Sequence, residues 1–507
     1  MSKSPVPLTA LILLLSVGGC SVFPVGGFDN EAAPQSRKSG QYRTDEVRSG
    51  SYLASLNVDW ELDWNCRNNY KPKLSEIKAD SIEQCKGKDE RFFGVAISGG
   101  GSRAAVFSAA VLFELQKYGI LQQVDVISSV SGGSYTSALY ALSCDDVERC
   151  PATVEGPERM VWSEEKVYQR LQRNFVARWF GNWFWPDNIV RYWLTDFNRS
   201  QIMAKTLDAN LFDNSRLGGE GYRFQDLNPQ RPYLIINATD FSNHGQRPYE
   251  PSPFLSHLDR DSPCRRTRFF SFTRETFGEL GSDLDQYHLA DAVVASSAFP
   301  AVFNYVTLKD FAKDGQYVHL LDGGPFDNLG VAALLCALDN AEKKPPKDQT
   351  IIMLIDASID PQGKSSREAA TRSGLDHFVD MNALDAVDIL FEVQRQKSIA
   401  EAEDAAELIR IDFQGLTMGN TGDKDAYDLY TLVNRIPTNL TIEDWEADCL
   451  KRAAYFLVKS AAARIAQREN EPRFKGLVRP PSKSDEARQP PICVKPPPER
   501  AEDVAGP

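Results

Sequence analysis

Two strand–turn–helix units follow each other directly and constrain the fold of this 507-residue chain more than any other feature. In the first, the apolar run over residues 92–98 ends in three glycines, and residues 104–115 then carry apolar side chains at helical spacing. In the second, the β-branched run 124–130 passes through Ser131-Gly132-Gly133 into a helical pattern over residues 134–142. Consecutive units of this kind are typical of a parallel sheet with right-handed crossovers. The sequence therefore predicts an α/β fold.

Two further apolar runs, over residues 233–238 and 351–355, have the composition of buried parallel strands. Asp240 and Asp356 follow them, at the end of the strands where such sheets place their sites. We therefore expect the functional residues along this one edge of the sheet.

The last third of the structured sequence is predicted to be helical. Residues 378–395 form an amphipathic pattern, and Thr441-Ile442-Glu443-Asp444 resembles a capping box that opens a helix reaching about residue 465. We expect this helical C-terminal part, residues 361–470, to pack on the sheet.

Composition excludes several classes of protein. Hydrophobic residues make up 42% and charged residues 25% of the chain, close to the globular average, which excludes a disordered, collagen-like or multispanning membrane chain. The formal net charge of −13 provides no basic field to attract phosphate backbones, so we expect no nucleic-acid partner. Any contact with lipid is then expected to be local and largely apolar.

The first residues have the pattern of an export signal. Lys3 precedes an apolar run over residues 8–17, which is shorter than the ~20 residues of a spanning helix and so disfavours a retained membrane anchor. Val17-Gly18-Gly19-Cys20 resembles the lipobox of bacterial lipoproteins, in which the cysteine is lipidated; ordinary cleavage with Cys20 as a chance cysteine is the alternative. The sequence thus predicts a signal peptide over residues 1–19 and, through Cys20, an outer-membrane lipoprotein of the bacterial cell envelope that faces the periplasm.

Two polar segments flank the structured body. Gly, Ser, Pro and charged residues dominate residues 20–54, as in a flexible tether. Proline and charge return over residues 471–507, which predicts a disordered tail. The structured body is therefore predicted to span about residues 55–470.

Export would place the remaining eight cysteines in a compartment that permits disulfides. Eight cysteines allow 105 pairings, so the pairing stays open. Cys336 lies in an apolar run and is predicted to be a buried free thiol. The candidate pairs are Cys144 with Cys150, Cys66 with Cys85, and Cys449 with Cys493.

Ser131 has the setting of a nucleophile elbow, in which a sharp turn between strand and helix lifts a serine oxygen clear of the sheet. The turn requires small neighbours, and Ser129 stands where the first glycine of G-x-S-x-G is usual. A serine between a strand and a glycine pair is also a common helix cap, which is the structural alternative.

The glycine run Gly99-Gly100-Gly101 turns at the same edge. Its backbone N–H groups would point into the same crevice and could bind an oxygen that becomes negative during acyl transfer. Arg103 is expected to add positive charge at the rim.

The same glycines also match a dinucleotide-binding fingerprint, Gly99-x-Gly101-x-x-Ala104, with Asp125 as the acidic residue. Asp125 begins its strand, whereas a ribose-binding acid belongs at the far end, and export disfavours a nicotinamide cofactor. We therefore expect no cofactor.

Asp322 is the best candidate for the base that a serine nucleophile needs. None of the five histidines sits in a convincing turn after a strand, whereas Asp322 follows the apolar run 318–321, and Gly323 and Gly324 let the backbone pass close to the site. An aspartate with an ordinary pKa of about 3.9 is a weak base, so it must hydrogen-bond the hydroxyl directly. An Asx turn at a strand end is the alternative.

Four motifs in this order resemble those of patatin-like phospholipases over about residues 92–358: Gly99-Gly100-Gly101-Ser102-Arg103, the Ser131 elbow, Ala292–Pro300, and Asp322-Gly323-Gly324. The resemblance implies a three-layer α/β/α fold with a mostly parallel sheet and a catalytic domain over residues 55–360. It implies a dyad in which Ser131 is the nucleophile and Asp322 the base, with the three glycines as oxyanion hole and Gly133, Gly323 and Gly324 in support.

The activity that this resemblance implies is hydrolysis of fatty-acyl ester bonds, in phospholipids or related lipids, through an acyl-enzyme on Ser131 and without a metal. Two other functions stay open. One is a membrane-tethered scaffold that binds lipid or protein without turnover, against which the intact Ser131 and Asp322 argue. The other is acyl transfer to an acceptor other than water.

An aromatic segment over residues 178–193 lies outside these motifs and contains four of the eight tryptophans. Tryptophan and tyrosine favour membrane interfaces, where one end of the side chain is apolar and the other wet. The sequence predicts membrane contact by Trp179, Trp183, Phe184 and Trp185, with an aromatic core packed under an insertion as the alternative.

Overall fold

The computed structural model describes residues 30, 32, 91–146, 159–195, 197–213, 221–228, 230–242, 269–300, 302–340, 345–359, 381–417, 424–483, 485 and 490–494. The predicted signal peptide, Cys20, nearly all of the predicted tether, and the cysteines Cys66, Cys85 and Cys150 lie outside these residues. Among the described residues, no helix combines the length and the apolar character that crossing a bilayer requires.

Eight strands of the described chain form one mixed sheet. They are β1 Phe92–Ile97, β2 Val126–Val130, β3 Tyr233–Asp240, β4 Phe269–Ser271, β5 Val306–Asp310, β6 Gln316–Asp322, β7 Thr350–Asp356 and β8 Glu407–Asp412. The order is β5-β6-β3-β2-β1-β7-β8, with β4 also paired to β3. The five strands β3, β2, β1, β7 and β8 are parallel to one another. The pairs β3–β4, β3–β6 and β5–β6 are antiparallel. The prediction of a mostly parallel sheet is confirmed.

Thirteen α-helices lie in the described residues. They are α1 Gly101–Lys117, α2 Gly132–Leu142, α3 Glu164–Leu171, α4 Phe175–Trp183, α5 Pro186–Leu194, α6 Arg199–Asn210, α7 Arg274–Glu279, α8 Leu289–Ser297, α9 Gly324–Asp327, α10 Val331–Asn340, α11 Met381–Ala405, α12 Lys424–Val433 and α13 Asp444–Gln467. The two predicted strand–turn–helix units are β1–α1 and β2–α2.

The alternation of side chains in β1 separates the layers. Phe93, Val95 and Ile97 join the core cluster that contains α1 and α13, whereas Phe92 and Ala96 join a second cluster with α10 and α11. Because successive side chains of a strand point to opposite faces, the two clusters lie on opposite sides of the sheet. The molecule therefore has the three-layer α/β/α architecture, and every residue of β1 is buried.

The C-terminal part is less purely helical than predicted. It also contributes β8, which extends the sheet beyond β7. The capping box of α13 is formed by Glu443 and Glu446, two residues later than the predicted start at Thr441. Its helix packs against α1 and covers one face of the sheet.

The segment after residue 471 is not wholly a disordered tail. Phe474 and Leu477 are buried in the larger core cluster, and Cys493 is disulfide-bonded to Cys449 of α13, as predicted. Apolar side chains spaced among the prolines thus hold part of this segment on the domain.

Two further cysteines, Cys336 and Cys144, also form disulfides. Cys336 is disulfide-bonded, so the prediction of a free thiol is wrong. Its neighbours in α10 face the sheet, but Cys336 lies off that buried face and is partly exposed, which leaves its sulfur within reach of a second cysteine. Cys144 is also disulfide-bonded, while its pairing with Cys150 stays a prediction.

Candidate active site

Ser131 occupies the sharp turn between β2 and α2. Its backbone has φ 50° and ψ −124°, and Ser131 and Asp213 are the two non-glycine residues with positive φ in the described chain. A side chain in this region is strained, and such strain concentrates at functional sites. The turn places Ser131 at the N-terminus of α2, at the carboxyl edge of the sheet.

Glycines next to Ser131 allow two backbones to approach closely. A Cβ atom at Gly132 would overlap the backbone of Gly101, and one at Gly133 would overlap the carbonyl oxygen of Ser98. The glycine loop, residues 99–101, is therefore in direct contact with the turn that carries Ser131. Glycine is required at these two positions because a side chain would overlap the neighbouring backbone, whatever the φ angle of the residue.

Ser129, which replaces the usual glycine, fits because its hydroxyl has partners. It accepts from the Ser137 hydroxyl at 2.7 Å and lies 3.2 Å from the Ser134 hydroxyl, which lies 3.1 Å from the Ser296 hydroxyl. We call these four buried residues the serine network. Ser296 in turn accepts the backbone N–H of Ser131 at 2.8 Å. The serine network thus links Ser129 to the backbone of Ser131 in the turn.

The register of the sheet brings Asp322 to Ser131. Val130, the last residue of β2, pairs with Asn237 of β3, and the next residue of β3, Ala238, pairs with Asp322 at the end of β6. The Ser131 hydroxyl donates a hydrogen bond to Oδ2 of Asp322 at 2.9 Å. Two residues 191 positions apart in the chain are therefore in direct contact.

Asp322 lies in an environment that favours the neutral acid. Burial raises the pKa of Asp322 to about 6. Two hydrogen bonds lower the pKa but do not cancel this effect: the Gly324 N–H donates to Oδ1 at 2.8 Å, and the Ser131 hydroxyl donates to Oδ2. A carboxylate with this pKa binds a proton more readily than an ordinary aspartate while remaining mostly ionised at pH 7.

The glycine loop adopts conformations that suit glycine. Gly100 and Gly101 have φ 138° and 60°. The Gly99 N–H donates to the carbonyl oxygen of Asn328 at 2.9 Å and is therefore already engaged. Within the described residues, the N–H groups of Gly100, Gly101 and Gly132 have no hydrogen-bond partner. Gly132 was missed by sequence reasoning, although it directly follows Ser131, where hydrolase elbows supply an N–H donor.

Arg103 does not lie at the rim. Its side chain is only 3% exposed, and it donates to the carbonyl oxygens of Ala357 at 2.9 Å and Ile436 at 2.7 Å. The adjacent Ser102 N–H donates to the carbonyl oxygen of Asn439 at 2.7 Å. Arg103 is buried because the C-terminal part covers the start of α1, and it joins the glycine loop to that part.

Sequence reasoning also gave no role to Ser296 or Asn237. Ser296 lies in the motif Ala292–Pro300, and its hydroxyl donates to the carbonyl oxygen of Asn237 at 2.6 Å. The Asn237 amide donates to the carbonyl oxygen of Ser129 at 3.1 Å. A polar residue inside the apolar run 233–238 was the signal that could have identified Asn237.

Other acidic residues at this edge have structural partners. Asp356, at the end of β7, is fully buried and paired with Arg395 of α11 at 2.6 Å. In the part of the chain that the structure describes, no group of His, Cys, Asp and Glu side chains could hold a metal ion.

The predicted membrane-contact residues divide into two groups. Trp179 is buried and Trp183 partly buried, so Trp179 belongs to the core. Phe184 and Trp185 are 70% and 64% exposed. Trp179 therefore agrees with the alternative of a packed aromatic core, while membrane contact by the exposed Phe184 and Trp185 stays a prediction.

The fold and this site define an α/β protein with a serine at a strained turn in contact with a buried aspartate. Residues 95–335 match the family model of the patatin-like phospholipases. The match begins in β1, ends in α10 and includes the glycine loop, Ser131 and Asp322. Residues 95–335 are therefore a patatin-like phospholipase domain.

Solved structures with a similar course of the chain include human GIVD cytosolic phospholipase A2, at 12% identity and a TM-score of 0.45 over 85% of this chain and 68% of that one. The same enzyme in complex with methyl gamma-linolenyl fluorophosphonate has 13% identity and a TM-score of 0.44, over 85% and 64%. VipD from Legionella pneumophila has 13% identity and a TM-score of 0.28, over 73% and 66%. A comparison with curated proteins finds no significant match.

Proposed function

We propose that this protein hydrolyses the fatty-acyl ester bonds of phospholipids or related lipids, with Ser131 as nucleophile and Asp322 as base. The patatin-like phospholipase domain over residues 95–335 supports lipid acyl hydrolase activity in general terms. The observation that carries the finer assignment is the 2.9 Å hydrogen bond from the Ser131 hydroxyl to Asp322. A serine is activated as a nucleophile when a base accepts its proton within this distance.

In the first half-reaction, Ser131 Oγ attacks the ester carbonyl carbon while its proton passes to Asp322. The carbonyl oxygen becomes negative, and the unpartnered N–H groups of Gly100, Gly101 and Gly132 are placed to bind it. Collapse of the tetrahedral intermediate breaks the ester bond, and the leaving alcohol takes the proton from Asp322. The product is an acyl ester on Ser131.

In the second half-reaction, water attacks the acyl-enzyme and Asp322 accepts its proton. The second intermediate collapses to a fatty acid, and the proton returns to Ser131 Oγ. The raised pKa of Asp322, about 6, suits both roles because the group binds a proton in one step and releases it in the next.

The test uses a fluorophosphonate probe and a short-chain p-nitrophenyl ester. We expect labelling and turnover by the full chain, and loss of both in Ser131→Ala. Ser108→Ala is the matched control, because the Ser108 hydroxyl is buried and bonds only to carbonyl oxygens of its own helix. Absence of labelling in folded wild-type protein would overturn the assignment. Analysis of phospholipid products then distinguishes a released fatty acid from an acyl group transferred to another acceptor.

We also propose that the protein is exported and held at the outer membrane by a lipid on Cys20. The support is the pattern of residues 3–20, which lie outside the described part of the chain. Incorporation of an alkyne-bearing fatty acid into the wild-type protein in bacterial cells, and its loss in Cys20→Ala, is the expected result. A wild-type protein that incorporates no fatty acid would contradict it.

A further inference from the structure

The helices α4 and α5 leave large apolar side chains uncovered. Phe180, Phe184, Trp185 and Trp193 are 46%, 70%, 64% and 39% exposed. Val190 and Leu194 are exposed on the same helix pair. We call these six residues the aromatic surface. Contiguous exposed apolar patches are uncommon on soluble proteins and mark interaction sites.

Ring contacts link two members of the aromatic surface, Phe180 and Trp193, through the rings between them. Phe180 stacks on Trp183 with ring centroids 6.3 Å apart, Trp183 contacts Tyr192 at 5.2 Å, and Tyr192 contacts Trp193 at 5.6 Å. Two partly buried rings thus connect the exposed Phe180 of α4 with the exposed Trp193 of α5.

The opposite face of α4 is anchored in the domain. The Trp179 ring lies 5.1 Å from Phe303, and its indole N–H donates to the carbonyl oxygen of Arg199 at 3.1 Å. Phe175 is 1% exposed. The aromatic surface is therefore presented by a fixed scaffold.

That scaffold contacts the elements that hold the candidate active site. Phe175 packs edge-on against Tyr135, which follows Ser131 by about one turn of α2, with ring centroids 5.8 Å apart. Phe303 donates its N–H to the Phe299 carbonyl, next to Ala298, whose carbonyl oxygen accepts the N–H of Asp322 at 3.1 Å. The helix that carries part of the aromatic surface therefore packs directly on elements that hold Ser131 and Asp322.

The chemistry of the segment fits a lipid surface. Residues 173–199 contain four arginines and two aspartates and no lysine or glutamate, a net charge of +2 in a chain of −13. Arg178 and Arg191 are exposed on the same helices, where they can meet phosphate groups. Each helix has nine residues, far short of the ~20 needed to span a bilayer, and so suits the plane of the interface.

We propose that the aromatic surface docks on a phospholipid bilayer and holds the Ser131 edge of the sheet at the membrane. The role of this docking in catalysis rests on the proposed function. The aromatic surface would then be the part of the protein that meets the phospholipid substrate in its bilayer. Phe184 and Trp185, at the junction of the two helices, are the most exposed residues and enter the bilayer first.

The test measures binding to vesicles of phosphatidylcholine and phosphatidylglycerol, using the full chain with Cys20→Ala so that no acyl chain contributes. The variant Phe184→Gln/Trp185→Gln is expected to bind at least about tenfold more weakly than the parent, because two large apolar side chains no longer leave water on binding. The control, Val393→Gln/Tyr427→Gln, removes side chains that are 62% and 45% exposed elsewhere and should bind like the parent.

Brominated acyl chains provide a second readout, because they quench only tryptophans that reach the hydrocarbon. We expect quenching in the parent and less in the Phe184→Gln/Trp185→Gln variant. Equal vesicle binding by parent and variant would overturn the proposal. So would a change in sedimentation from dimer to monomer with vesicle binding unchanged, which would assign the surface to a second copy of this chain.

The two proposals fail separately. Ser131→Ala should bind vesicles as well as the parent, because it leaves the aromatic surface intact. Vesicle binding without ester turnover by the wild type would overturn the proposed chemistry alone, whereas turnover with no effect of Phe184→Gln/Trp185→Gln on binding would overturn the docking surface alone.

Discussion

The edge of the sheet that carries Ser131 and the aromatic surface of α4 and α5 use their side chains in opposite ways. At the edge, backbones touch, Asp322 is 6% exposed, and each hydroxyl of the serine network has a partner. On the aromatic surface, Phe184 and Trp185 have most of their area in water. At the edge, the side chains of Asp322 and the serine network bond to groups within the protein. On the aromatic surface, the largest side chains are left in contact with solvent.

The difference teaches where a substitution should act. Changes at the edge should alter chemistry or stability without any partner present. Changes on the aromatic surface should matter only when a membrane is present. The following predictions test that division, from the largest expected effect to the smallest.

Asp322→Asn should lower kcat for a soluble ester by about 10⁴-fold, because the amide cannot accept the Ser131 proton. Measured turnover and thermal unfolding separate lost chemistry from lost folding. A variant with kcat within about tenfold of the wild type would exclude Asp322 as the base.

Gly132→Ala should lower turnover by about 100-fold or more, because its Cβ would displace the glycine loop from the turn that carries Ser131. The matched control is Gly181→Ala in α4, where a Cβ has no atom within 4 Å. This control should keep full turnover and stability. Equal losses in both variants would contradict the division between the two regions.

The pKa of Asp322 makes activity rise with pH through about 6 and level off above it, since the base must be ionised. Stability changes in the opposite sense. Because the folded pKa exceeds the ordinary value of about 3.9, the folded state holds its proton more tightly, and ionisation costs about 2 to 3 kcal/mol of stability as pH rises from about 4 to 6.

Asp322→Asn removes that cost, so the stabilisation it brings should be larger at pH 7 than at pH 4. Denaturant unfolding at the two pH values measures it. The same difference in unfolding free energy at both would show that Asp322 has no raised pKa in the folded protein.

Ser296→Ala should lower kcat by about tenfold with little change in KM, since the Ser131 N–H loses its acceptor and the turn loses its support. Ser297→Ala is the control, because the Ser297 hydroxyl bonds to the Val293 carbonyl within α8 and both serines are buried. Steady-state kinetics of the two variants test this. A larger loss in Ser297→Ala would reject a positioning role for Ser296.

Trp185→Gln should change the unfolding free energy by no more than about 0.5 kcal/mol, because the side chain is largely in water already. Trp179→Ala should cost about 3 to 5 kcal/mol, because its ring is 6% exposed and packed against Phe303. Chemical denaturation of both variants checks the contrast. A large loss in Trp185→Gln would place that residue in the core.

The sequence by itself determined the elements and the identities of the central residues. The periodicity of residues 92–142 specified β1, α1, β2 and α2, because apolar spacing and glycine turns act between near neighbours in the chain. The same local patterns singled out Ser131, Asp322 and the glycine loop, each at a turn after a strand. These predictions depend on interactions within a few residues.

Only the tertiary structure decided which of these groups meet and how they are charged. The contact between Ser131 and Asp322 depends on the register of β6 against β3, and Arg103 is buried by carbonyl oxygens 254 and 333 positions away. The exposed face of α4 depends on which rings Phe303 and Tyr135 cover. Local sequence carries no signal of these distances, because backbone acceptors look alike at every residue and burial is created only when distant segments pack.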